Sequence, residues 1–92
     1  MNFEWADAKA AANLAKHGVD FLDAIGALID PGRIEDIDDR FAYGEERMQT
    51  IGMTSGSILF VVTTMRDDNR CRIISARRAT RHEQDRYYAG TH

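Results

Sequence analysis

Ten of the twelve basic residues in this chain are arginines, and five of those crowd between Arg72 and Arg86. A guanidinium group forks planar hydrogen bonds onto phosphate or carboxylate, so the first chemistry to weigh is anion recognition. The segment reads as strand, turn and helix. Side chains alternate along a strand, which predicts Arg72 and Arg78 on one face and Arg77 on the other. Thr80-Arg81-His82-Glu83 then has the form of a capping box that opens a helix. A helix N-terminus offers free backbone N–H groups and a positive dipole end, both favourable to an anion. Arg77, just before that terminus, is the first candidate for gripping a phosphate, with Arg78, Thr80 and Arg81 beside it. The plain alternative is a salt bridge to an acidic residue. Arg47 lies on another expected strand, sharing a face with Gln49 and Ile51. It can meet Arg72 or Arg77 across a sheet, or merely bind Glu45 or Glu46.

The totals frame this. Ninety-two residues with 43% hydrophobic and 29% charged side chains make one globular domain, spanning 1–92. The net charge of -3 conceals a division. Residues 1–46 carry four basic and eleven acidic side chains; residues 47–92 carry eight arginines and four acids. A basic half can recruit a polyanion even from an acidic chain. From charge alone, the simpler account is that the arginines pair with the acidic half of their own fold. The single cysteine, Cys71, forms no internal disulfide and is expected to be buried, which fits a reducing, cytoplasmic setting. No apolar run approaches a membrane span, and the start has no signal-peptide pattern.

No metal or cofactor is suggested. His17, His82 and His92 lack ligand spacing, and Cys71 stands alone. The run Glu35-Asp36-Ile37-Asp38-Asp39 has the charge to attract magnesium, but such runs are more often solvated edge strands or loops.

The elements that must position these groups are legible in outline. Phe3-Glu4-Trp5 is a short edge strand. Asp7 is expected to cap a helix over 8–17, with Ala8, Ala11, Ala12 and Ala15 on one stripe and Gly18 ending it. Asp20 caps a second helix in which Phe21, Ala24, Ile25 and Leu28 recur, and Pro31 stops it at Asp30. Strands follow over Arg33–Ile37, Glu46–Met53, Ser57–Met65 and about Arg70–Arg77, with turns at Thr54-Ser55-Gly56 and Asp67-Asp68-Asn69. A last helix runs from Thr80 to about Ala89. The fold class is α+β: a short N-terminal strand, a two-helix hairpin, a three- or four-stranded antiparallel sheet and a C-terminal helix.

In that order, several segments resemble the BrnT family of toxins. They are Phe3-Glu4-Trp5; Lys9 with Asn13; Lys16-His17-Gly18-Val19 and Phe21; Asp30-Pro31; Glu46-Arg47; Ile51-Gly52; and Arg72-Ile73-Ile74-Ser75-Ala76-Arg77 with Ala79-Thr80 and Glu83. The likeness covers nearly the whole chain. It implies a RelE-like fold, cleavage of RNA as one half of a type II toxin–antitoxin pair, and translation inhibition. It also implies a BrnA-like antitoxin with a ribbon-helix-helix segment, so a hetero-oligomer that touches DNA only through the antitoxin. One departure stands out: the family commonly has aspartate directly after Phe-Glu-Trp, where this chain has Ala6 and then Asp7.

If RNA is the substrate, its 2′-hydroxyl is the nucleophile. The enzyme must then move protons and stabilise phosphoryl charge, and no metal is required. Arg77, Arg72 and Arg47 supply the charge. His17, the histidine within a family segment, is of the class that titrates near neutral pH, and Lys16 beside it can neutralise phosphate. A Lys-His pair at a helix end also simply complements the dipole. Tyr87 and Tyr88 can stack on a base, although a terminal helix usually docks through one aromatic. The alternative function is a non-catalytic module that holds an acidic protein partner against its basic face. Direct DNA binding lacks a recognisable motif.

Overall fold

A computed structural model describes residues 1–40 and 44–90. The element order is β1 (Asn2–Glu4), α1 (Asp7–His17), α2 (Phe21–Leu28), β2 (Ile34–Asp38), β3 (Arg47–Thr54), β4 (Ser57–Asp67), β5 (Arg70–Arg78) and α3 (Arg81–Ala89). The strands form one five-stranded sheet ordered β1-β5-β4-β3-β2. Strands β2 to β5 are the antiparallel set. The N-terminal strand adds to the β5 edge in parallel, pairing Phe3 with Cys71 and Glu4 with Arg72. The sheet is therefore mixed, because the α1–α2 hairpin carries the chain across one face before β2 begins.

The sheet buries both faces. Phe21, Ala24 and Ala27 of α2 pack with Leu59, Val61, Ile73 and Ala76, flanked by Trp5 edge-on to Phe21 at 5.9 Å. On the other face Ile51, Ile58, Phe60 and Val62 meet Ala79 and Tyr87. This two-sided burial explains why β4 reads as an almost unbroken apolar run. Cys71 is buried, as its type suggests.

Two details of the helical hairpin differ from the sequence reading. The N-cap of α1 is Ala6, which makes no side-chain cap bond, and Asp7 is inside the first turn. The alanine stripe is exposed; the helix instead turns Ala10 and Asn13 inward. Four alanines contrast little with their neighbours, so they do not dictate the buried face. Asn13 does. Its amide nitrogen donates to the carbonyls of Val19 and Ala76, at 3.0 and 2.8 Å, and its oxygen accepts from the Ala76 N–H at 3.1 Å. It caps the β5 edge where β1 has ended. Gly18, with φ +70°, turns the chain out of α1 in the left-handed region. The Asp20 cap is as expected, accepting from the Leu22 N–H.

Helix α2 sits close on β3. A Cβ on Gly52 would collide with the Ala27 backbone, which cannot move aside as a side-chain tip can. Gly52→Ala is therefore expected to destabilise the fold by about 1–3 kcal/mol, the usual cost of overpacking a core. Thermal or urea melting measures it; an unchanged midpoint would mean that α2 does not seat there.

Candidate functional site

The arginines gather on the sheet face opposite the helical hairpin, but not in the arrangement strict alternation predicts. Val62 pairs with Ser75 while Thr63 pairs with Ile73, so Ile74 is an extra residue in β5. This bulge reverses the parity of everything after it. Ile73 and Ala76 both face the hairpin. Arg72, opposite Thr64, and Arg77, opposite Phe60, thereby share the second face. Arg78 turns to the hairpin side opposite Leu59 and donates to Ser57 Oγ at 3.3 Å. The expected Arg72–Arg78 face is thus replaced by an Arg72–Arg77 face, because one inserted residue flips the alternation.

Arg47 lies on the same face, opposite Asp38 of β2. Gln49 and Ile51, opposite Val62 and Phe60, complete its row. A fourth guanidinium, Arg40, lies 5.9 Å from the Phe60 ring centroid, and that of Arg77 lies 4.2 Å from it. Both are within the range of attraction between a cation and an aromatic face. Arg40 and Phe60 are site residues that sequence reasoning passes over. Arg40 follows an acidic run that reads as solvated edge, and Phe60 reads as core.

Each of these arginines is held by a carboxylate. Arg77 grips Glu83 with two bonds of 2.8 and 3.0 Å. Arg72 bonds Glu4 at 2.9 Å, Arg47 reaches Glu45 at 3.4 Å and Arg40 bonds Asp38 at 2.8 and 2.9 Å. The arginine side chains remain 22–50% exposed, so solvent and ligands reach them. Arg40 holds the buried Asp38 carboxyl far below the usual range. Burial works against the charge on Glu83, yet Arg77 and Thr80 keep it below the ordinary glutamate value.

The α3 terminus is already occupied by an anion of the protein's own. Both halves of the capping box form: Thr80 Oγ1 accepts from the Glu83 N–H, and Glu83 Oε1 accepts from the Thr80 N–H. The Glu83 carboxylate thus sits between Arg77 and the helix end, where the residues alone suggest a phosphate. Arg81 is 90% exposed beside Asp85.

Lys16 and His17 are elsewhere. With Lys9, Ala12 and Asn13 they line a shallow cleft between α1 and the β5 edge, completed by Ile74 and Ser75. No hydrogen bond or ion pair joins them to the arginine face among the described residues.

The family described as "Ribonuclease toxin, BrnT, of type II toxin-antitoxin system" matches residues 5–83. The chain belongs to the BrnT family. Among curated proteins none matches the sequence. The crystal structure of the Brucella abortus ribonuclease toxin BrnT is similar at 27% identity with a TM-score of 0.65, covering 88% of this chain and 99% of that one. The α+β architecture is therefore that of a BrnT toxin, whose family description implies an antitoxin partner. Within this BrnT chain, Ala6 occupies the cap position, and Asp7 does not take over the capping bond. Tyr87 is buried, its hydroxyl donating to Asp30 at 2.5 Å, so it presents no face to a base; Tyr88 is the exposed member of this pair. No helix of the described residues is long and apolar enough to cross a membrane.

Proposed function

We propose that this BrnT chain is a metal-independent endoribonuclease that arrests translation by cutting RNA across its arginine face. The observation that carries this reading is the convergence of Arg40, Arg47, Arg72 and Arg77 on one sheet face. Four partly exposed guanidinium groups on one face, two of them against the Phe60 ring, suit a phosphodiester with a base beside it. Their carboxylate partners do not preclude it. The partners of Arg47, Arg72 and Arg77 keep contact with solvent, and such pairs are worth roughly 0–1 kcal/mol, so a phosphate that brings its own charge can displace them, while Arg40 stays on the buried Asp38.

In this mechanism the 2′-hydroxyl attacks the adjacent phosphorus and the 5′-oxygen leaves, giving a cyclic phosphate. Arg77 stabilises the charge that grows on the phosphoryl oxygens, and Arg72 and Arg47, farther along the same face, hold the flanking backbone. Lys16 and His17, in the cleft at the β5 edge and not on the arginine face, help to hold the RNA beside the scissile phosphate. Arg78 and Arg81 contact the RNA at its margins, near the Thr80 cap. The partner is an antitoxin resembling BrnA, with a ribbon-helix-helix segment that supplies the DNA contact of a hetero-oligomer in the cytoplasm.

The carboxylates on the arginine face favour a second reading, in which this surface only holds an acidic segment of that antitoxin. Both readings predict binding, and turnover separates them. Purified protein is expected to cleave RNA in EDTA and to leave 2′,3′-cyclic phosphate ends. Intact RNA after prolonged incubation, or cleavage that appears only with added metal, would overturn the first reading.

A further inference from the structure

Among the described residues, nine of the ten arginines are ion-paired to carboxylates. The two lysines of the chain are not, and both line the cleft between α1 and the β5 edge. Lys9, Asn13, Lys16 and His17 recur at the spacing of one helix face. Among the described residues no carboxylate meets Lys9, Lys16 or His17, in a chain with fifteen acidic side chains. Asn13, buried between them, pins this face to β5 through its bonds to Ala76. Across the cleft lie Ser75 and Ile74, at the bulge.

We propose that this cleft is a second phosphate site of the RNA backbone, in which Lys9 and Ser75 join Lys16 and His17. The inference rests on the ribonuclease reading above and adds the path of the substrate. An ammonium group is a compact point charge suited to a phosphate oxygen, and a serine hydroxyl supplies a neutral donor. Ser75 is two residues from Arg77, roughly 6–7 Å along a strand, so one RNA strand can touch both sites as it crosses the β5 edge. The cleft has a volume of about 220 Å³ and is wide open, as a site for a passing backbone must be. Its cations need no intramolecular anion displaced, in contrast to the arginines. The strand therefore anchors here first and engages the arginines second.

The test uses a single-stranded oligonucleotide with 2′-O-methyl riboses, which cannot be cut, and measures affinity against salt. For single strands the slope of log affinity against log salt shrinks by roughly 0.7 for each phosphate the protein no longer neutralises. Lys9→Gln is expected to lower the slope by about that amount, and Lys9→Gln with Ser75→Ala to weaken binding further. Arg33→Gln, on the far side of the sheet, is expected to keep the wild-type slope. Should the wild type bind with a clear salt dependence that Lys9→Gln and Lys16→Gln both retain, the cleft is not a phosphate site, while the arginine face stands. Loss of antitoxin binding alone, with RNA binding unchanged, likewise overturns the proposal. A wild type with no salt-dependent RNA binding overturns both this site and the ribonuclease reading.

Discussion

Arg77→Ala is expected to slow RNA cleavage by about 10²–10³-fold, the loss usual when one donor to a developing oxyanion is removed. Arg77 has the most determined position of the four guanidinium groups. Two bonds to Glu83 fix its fork, Phe60 supports its plane, and a further bond runs to the Arg78 carbonyl at 3.2 Å. The truncation leaves Glu83 with the Thr80 N–H bond and the positive helix end, so no orphaned charge remains to unfold the protein. Circular dichroism and melting should stay close to wild type while growth arrest and cleavage fall together. Arg77→Lys keeps the charge and loses the fork, so an intermediate rate is expected. Undiminished cleavage by folded Arg77→Ala would remove this residue from the chemistry.

The geometry behind that expectation is only half legible in the residues. The capping box at Thr80 and Glu83, the Asp20 cap and the alternating strands all have local causes, and those elements lie where local physics puts them. The bulge at Ile74 has no such mark: Arg72-Ile73-Ile74-Ser75-Ala76-Arg77 looks like uninterrupted strand. It is visible only once β4 supplies the register, and it decides which arginines meet. Asn13 belongs to the same class. On an alanine-rich helix it looks like a polar surface residue, and its role depends on a strand edge 63 positions away. Glu83 reads as a cap, which it is. That the same carboxylate also grips Arg77 emerges only when the strand and the helix are placed together. Local propensity names the candidates here, and long-range register brings them together.

The second large effect concerns what holds α3 on the sheet. Asp30, in the Asp30-Pro31 segment after α2, accepts three bonds: from the Met53 N–H at 2.7 Å, the Gly32 N–H at 3.0 Å and the Tyr87 hydroxyl at 2.5 Å. One carboxylate thereby ties the α2 exit, β3 and α3 together. Hydrogen bonds to a charged group are worth roughly 1.5–3 kcal/mol, so Tyr87→Phe should cost that much and Asp30→Ala more. At about 4–8 °C per kcal/mol for a domain of this size, both shifts are readily seen in a melt. The pH dependence has a definite sign at each end. Burial opposes ionisation of Asp30, but the bonds from Tyr87, Met53 and Gly32 outweigh it and hold its carboxyl below the ordinary value. The stabilisation from that group is present above about pH 4 and declines as pH falls further. The bond to Asp30, with burial and the charge of that carboxylate, pushes the Tyr87 hydroxyl up to about 12. Its stabilisation is present below about pH 10, the ordinary tyrosine value, and is lost as pH rises toward 12. The stability gap between wild type and Tyr87→Phe should therefore be flat across neutral pH and close at both extremes. A gap that persists undiminished at pH values well below the carboxylate range would show that the Tyr87 hydroxyl does not act through the charged Asp30 carboxylate.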